Sequence, residues 1–286
     1  MLANQAITSF QADLEDQNYS GQTIKGYRSS LNIFLDFVES KYNTQLYIDD
    51  ISREDIKEFL SHKSEEGCSP STRNRYLFIF KSFYNYLVRE NIVEVNLADD
   101  LIPVKTRKKE RSYLTKSEVN QLAEAVDHPI IKTAIYFAFY TGLRGGELLN
   151  LKIGDVDLNE RLVYVNQGKG NKDRKVPINS ELKDIINNYL NNIRPDVNND
   201  NFFATKISGS LSHQYFNKKL KQAASDLGWN NQTSVHDLRH AFASRLVKQG
   251  VNIYKIKELL GHSSIKVTEI YTHVDTNDLE EAVGKL

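Results

Sequence analysis

The stretch Leu101-Ile-Pro-Val-Lys-Thr-Arg-Lys-Lys-Glu-Arg-Ser-Tyr-Leu114 decides how the chain is organised. Helical three- and four-residue hydrophobic steps stop at Leu101, Pro103 interrupts the backbone, and Lys105, Arg107, Lys108, Lys109 and Arg111 crowd together. That is the composition of an exposed, positively charged linker, so residues 1–101 and 113–286 are expected to be separate domains joined by 102–112. On the N-terminal side, Ile24, Tyr27, Leu31, Phe34, Leu35 and Val38 mark a helical face, and helices are expected near 8–17, 21–41, 52–66, 70–89 and 94–101. Ser52 followed by Asp55, and Ser69-Pro70, read as helix starts. On the C-terminal side, Thr115-Lys-Ser-Glu118 resembles a capping box, and a mainly apolar segment from Ile130 to Tyr140 breaks at Thr141-Gly142. Residues 161–166 and 174–178 are strand-like and flank a turn-rich Gln167-Gly-Lys-Gly-Asn-Lys-Asp173, a β-hairpin. Helices should follow near 181–193, 212–227, 236–249, 252–260 and 264–271. The expected fold class is mainly α with a small β-hairpin, α+β.

At 286 residues the chain can bury two cores. Apolar and charged fractions of 40% and 26% exclude wholesale disorder. Cys68 is the only cysteine, which excludes an intramolecular disulfide and a cysteine-rich zinc site. No basic segment leads into an apolar stretch at the N-terminus, and no apolar run approaches the roughly 18 residues of a membrane span. The chain therefore reads as cytoplasmic, with no membrane partner. Net charge is zero, but residues 1–105 hold 11 Lys+Arg against 16 Asp+Glu, leaving 26 against 21 for residues 106–286. The C-terminal part can face a polyanion despite the neutral average.

Four short segments carry chemistry: Thr141-Gly-Leu-Arg-Gly-Gly-Glu-Leu148, Gly168-Lys-Gly170, His236-Asp-Leu-Arg-His240, and Leu260-Gly-His262 followed by Tyr271. Their order and spacing resemble the tyrosine site-specific recombinases of the phage-integrase family, and the length is most like Xer-type members. The resemblance spans residues 113–286 and extends more loosely to the helical N-terminal part, which looks like the family's SAM-like core-binding domain. It implies catalytic roles for Arg144, Lys169, His236, Arg239, His262 and Tyr271, with Tyr271 the nucleophile, and needs no metal, ATP or other cofactor. Gly145-Gly146 after the arginine departs from the expected pattern and would add flexibility at a helix start.

Elementary chemistry leads to the same residue types. Attack on a phosphodiester builds negative charge on its non-bridging oxygens, and fixed cations must meet it. Arginine donates two hydrogen bonds from a planar fork and stays charged, which suits Arg144 and Arg239. His236 and Arg239, three apart, share a helix face. The resemblance gives His236 a part in removing the tyrosine proton and His262 a hydrogen bond to the phosphate, and imidazole suits either task. A lysine with a lowered pKa can protonate the leaving 5′ oxygen. Lys169 fits the family's position, with Lys172 and Lys175 as rivals. Glu147 is expected to orient Arg144 from behind.

Duplex DNA is the implied partner, held in a C-shaped clamp of two domains. Lys105, Arg107, Lys108, Lys109 and Arg111 would contact phosphates. Thr72, Arg73, Arg75 and Lys81 line one candidate groove-facing helix, and Thr23, Lys25 and Arg28 another. The tail from Asp278 to Leu286 would, by resemblance, dock on a neighbouring protomer in a homotetramer on two DNA sites, with room for a second recombinase. Resolution of chromosome dimers and integration or excision of a mobile element both fit. A type IB topoisomerase-like relaxase and a catalytically inactive DNA-binding protein are the competing readings.

Overall fold

The computed structural model describes residues 1–106, 113–166, 173–229, 233–262, 264, 265 and 268. By its internal packing the chain divides into Met1–Glu110 and Arg111–Leu286.

The first unit is built from α1 (Ala3–Asp16), α2 (Gly21–Tyr42), α3 (Arg53–Glu65) and α4 (Pro70–Arg89). Ser52 and Asp55 close a reciprocal capping box at the start of α3, and Ser69 caps α4 with Pro70 at its first position. Phe10, Phe34, Phe59, Phe80 and Phe83 fill the core between these helices. The expected helix at 94–101 is a run of turns. Asn96 Oδ1 accepts the Ala98 amide at 2.9 Å, a local bond that satisfies the backbone without a helix.

The second unit starts with α5 (Lys116–Glu124), α6 (Pro129–Thr141) and the one-turn α7 (Gly145–Leu149). Thr115 and Glu118 cap α5 as the sequence implied. The hairpin gains a third strand: β1 (Val156–Asp157), β2 (Leu162–Val165) and β3 (Arg174–Pro177) form an antiparallel sheet in that order, with Val163 opposite Val176 and Val165 opposite Arg174. Then come α8 (Ser180–Asn188), α9 (His213–Asp226), α10 (Val235–Lys248) and α11 (Ile253–Leu260). Phe137, Tyr189, Phe202 and Phe203 centre the main core. Ile256 and Leu260 of α11 pack in a smaller cluster with Ala243 of α10. Burial of those two side chains holds α11 down with about 3–6 kcal/mol in all. No helix among the described residues is long and apolar enough to cross a membrane.

Candidate active site

Helix α6 ends because Gly142 takes a left-handed conformation (φ 62°), which a side chain would strain. The chain turns through Leu143 into α7, and Arg144 stands at the cap of that helix. Its backbone amide donates to Glu147 Oε2 at 2.7 Å, and its Nη1 donates to Glu147 Oε1 at 2.8 Å. Gly145 is not a source of slack: an added Cβ would lie 2.5 Å from His213 Nε2 and 2.8 Å from Val235 Cγ1. Close approach of α9 and α10 demands the glycine there, which corrects the flexibility expected from the sequence.

Glu147 sits beneath three arginines. Besides Arg144, it receives a two-pronged fork from Arg174, Nη1 to Oε1 at 2.9 Å and Nη2 to Oε2 at 2.7 Å, and Arg239 Nη1 lies 4.0 Å from Oε2. Burial alone would push this carboxyl up, but hydrogen bonds from Arg174 and from the Arg144 amide overrule it and bring the pKa down to about 2. The carboxylate is thus charged at any pH at which the protein works.

The same three arginines meet at the end of α11. Gly261 follows the helix in a left-handed conformation (φ 63°), the Gly261 amide donates to Glu258 O at 3.1 Å, and the His262 amide donates to Lys257 O at 3.1 Å. This Schellman turn leaves the next three carbonyls without helical partners. Each takes a guanidinium: Leu259 O from Arg174 Nε at 2.9 Å, Leu260 O from Arg239 Nη2 at 2.7 Å, and Gly261 O from Arg144 Nη2 at 2.8 Å. The negative end of a helix dipole is a natural seat for cations.

His262 leaves this turn and pairs through Nδ1 with Thr268 Oγ1 at 2.9 Å. Burial and the charges of Arg239 and Arg144 lower its pKa from 6.5 to about 4, so the ring is neutral at physiological pH. Between pH 6.5 and 4 the unfolded chain binds a proton that the folded chain refuses. The stability due to the neutral ring is therefore complete above pH 6.5 and is lost as pH falls toward 4. Urea unfolding should decline more steeply with acid across that window in the unaltered protein than in His262→Gln, and an NMR titration should place the imidazole midpoint near 4. A midpoint at or above 6.5 would refute this assignment.

Arg239 and His236 both belong to α10, whose start is fixed by Ser234 and Asp237 in a capping box: Asp237 Oδ2 accepts from the Ser234 amide at 2.8 Å and its hydroxyl at 2.6 Å. Arg239 is 5% exposed, and its Nη1 donates to Gly142 O at 2.6 Å. His236 keeps an edge open to solvent, while partial burial and the positive charges of Arg239 and Arg144 hold its pKa below the usual histidine value. A second tie comes from α9. Asn217 Oδ1 accepts the Val235 amide at 3.0 Å, so its Nδ2 faces His213 Nδ1, also at 3.0 Å. His213 Nδ1 must then accept, which leaves the ring proton on Nε2.

The structure brings together Arg144, Glu147, Arg239 and His262, with His236 on the same helix as Arg239. Lys169, its rival Lys172, Tyr271 and the tail from Asp278 lie outside the described residues, as do Arg107, Lys108, Lys109 and Arg111. Lys175 alternates with Arg174 along β3, so it points to the other face of the sheet, 5.2 Å from the Tyr164 ring and away from the arginine cluster. In the first unit, Lys25, Arg28, Thr72 and Arg75 are exposed and Lys105 lies at the end of the described linker segment. Thr23 and Thr72 hydrogen-bond the capping hydroxyls of Ser20 and Ser69, and Arg73 is half-buried. Lys81 donates to Asp99 O at 2.7 Å, which commits it to holding the 96–101 turn. Arg174 is the residue the sequence reading missed.

Residues 112–278 match the phage integrase family, and residues 7–91 match the phage integrase N-terminal SAM-like domain. The chain belongs to the phage integrase family. A tyrosine recombinase of Thermosipho africanus is 32% identical over 279 residues, which are 94% of this chain and 95% of that protein. Tyrosine recombinase XerD of Listeria innocua is 30% identical over 272 residues, 91% and 90% of the two chains. Among solved structures, the XerH site-specific recombinase bound to difH substrate in a pre-cleavage complex superposes with a TM-score of 0.70 at 26% identity, covering 96% of this chain and 84% of that one. The phage integrase family is one of enzymes, and this member is a tyrosine recombinase with the mainly helical fold and small sheet expected of it.

Proposed function

We propose that this recombinase cuts and rejoins duplex DNA at specific sites through a covalent bond between Tyr271 and a 3′ phosphate. One observation carries the reading: Arg144, Arg239 and His262 converge on the last turn of α11, so a buried guanidinium, a partly exposed one and a neutral imidazole share one pocket. Such a pocket suits a phosphodiester whose non-bridging oxygens gain charge during attack. The Tyr271 oxygen forms a bond to phosphorus as the bond to the 5′ oxygen breaks. His236 assists loss of the phenolic proton, Lys169 delivers a proton to the leaving 5′ oxygen, and His262 hydrogen-bonds the phosphate. Attack by a 5′ hydroxyl of the partner strand reverses the steps, frees Tyr271 and conserves the bond energy without ATP.

The exposed Lys25, Arg28, Thr72 and Arg75 and the linker cations bind the duplex, and four protomers assemble on two sites, each tail docking on its neighbour. Resolving chromosome dimers and moving a mobile element both use this reaction. Sequencing DNA trapped on the protein identifies the site, which is then placed once or twice on a supercoiled plasmid. Recombinant circles should appear only with two sites. Relaxation without recombinants would assign the same chemistry to a topoisomerase and sink the proposal.

A further inference from the structure

We propose that Arg174 is a positioning residue for strand cleavage, neutralising Glu147 and fixing it in place so that Arg144 and Arg239 meet the phosphate at full charge and set spacing. The proposal rests on the recombinase reading above and adds a residue outside its catalytic set. Arg174 is the first residue of β3, at the foot of the hairpin whose sequence carries Lys169. On β3 it shares the inward face with Val176, and its side chain and that of Glu147 are each 9% exposed. It cannot itself be a surface ion pair or a main contact for DNA. All its described bonds run to the site's frame: two to Glu147 and one to Leu259 O. It also lies against Gly261, where an added Cβ would come within 3.0 Å of its Nη1. A side chain at 261 would push on the fork.

The charges explain why the fork matters. Arg144, Arg174, Arg239 and Glu147 together carry net +2. Without Arg174 the sum is +1, and Glu147 loses its two shortest guanidinium partners apart from Arg144. Arg239, now 4.0 Å from Oε2 and bonded to Gly142 O, is the next cation the carboxylate can draw in. Glu147 then competes with the phosphate for the two arginines. Because the phosphate gains negative charge on the way to the transition state, the loss falls on the chemical step more than on DNA binding.

The test uses the full chain and a nicked suicide substrate, with single-turnover cleavage at saturating protein and separate gel-shift affinities. Arg174→Met should cleave about 30-fold more slowly, with affinity changed by less than about threefold. Arg174→Lys restores the charge but not the fork and should remain about tenfold slow. Adding Glu147→Gln to Arg174→Met returns the cluster to net +2 and removes the carboxylate that would compete for Arg144 and Arg239, so the double variant should cleave at least about fivefold faster than Arg174→Met. Melting curves identify any variant that fails to fold. If Arg174→Met does fail, the comparison of Arg174→Lys with the unaltered protein decides. Unchanged cleavage in Arg174→Lys and Arg174→Met, or a double variant no faster than Arg174→Met, overturns the proposal by reducing Arg174 to packing. Absence of adduct from the unaltered protein would instead overturn the recombinase reading beneath it.

Discussion

Tyr271→Phe should form no covalent adduct with DNA while binding it as before. The change removes one oxygen and keeps the ring, so packing and charge are untouched and only the nucleophile disappears. Removing a nucleophile leaves the binding and electrostatic parts of a site intact but costs on the order of 10⁴-fold or more in rate. Suicide substrates should therefore yield the tyrosine-linked product with the unaltered protein and none with Tyr271→Phe. Gel-shift affinities of the two should agree within about threefold. Adduct persisting in the variant would transfer the role to another residue, with Tyr254, exposed on α11, the first to examine.

Arg239→Ala should have the next largest effect, and it should strike stability as well as rate. Removing one donor group from a charged transition-state pocket typically costs about 10²–10³-fold, and a guanidinium supplies more than one, so a loss of about 10³-fold in cleavage is expected. Arg239 also satisfies Gly142 O and Leu260 O, buried carbonyls at the ends of α6 and α11. Leaving both without a donor should cost about 2–3 kcal/mol of unfolding free energy, read by urea denaturation. Arg239→Lys keeps the charge but offers a single point in place of a planar fork that spans two carbonyls, and it should stay within about tenfold of the alanine variant in rate. Near-normal cleavage by Arg239→Lys would show that charge alone suffices and that the forked geometry is incidental.

Much of this architecture could be read from local chemistry. Ser52 with Asp55, Ser69 before Pro70 and Thr115 with Glu118 announce helix starts because a cap satisfies backbone groups within a few residues. Gly142 and Gly261 announce helix ends for the same reason. Where the reading failed, the deciding partner was distant or of another kind. At 94–101 the apolar spacing was helical, but Asn96 bonds Ala98, Lys81 O and Asn85 Oδ1 and holds a turn. Arg174 escaped notice because a strand next to a lysine-rich turn is expected to be polar. Counting in twos from Val176 places it on the buried face, and a buried arginine needs a carboxylate. That partner, Glu147, is 27 residues away, a pairing no local pattern encodes. The meeting of Arg144, Arg174 and Arg239 on three successive carbonyls was likewise invisible, since backbone acceptors have no residue signature.

Those carbonyls belong to residues 259–261, which the ribosome makes after all three arginines. A polypeptide still in translation holds its cations without the frame that spaces them, because the domain folds as a unit only when α11 has emerged. The spacing of the three cations is therefore set only once residue 261 has been made, and a chain cut short before it carries the arginines without the backbone that holds them apart.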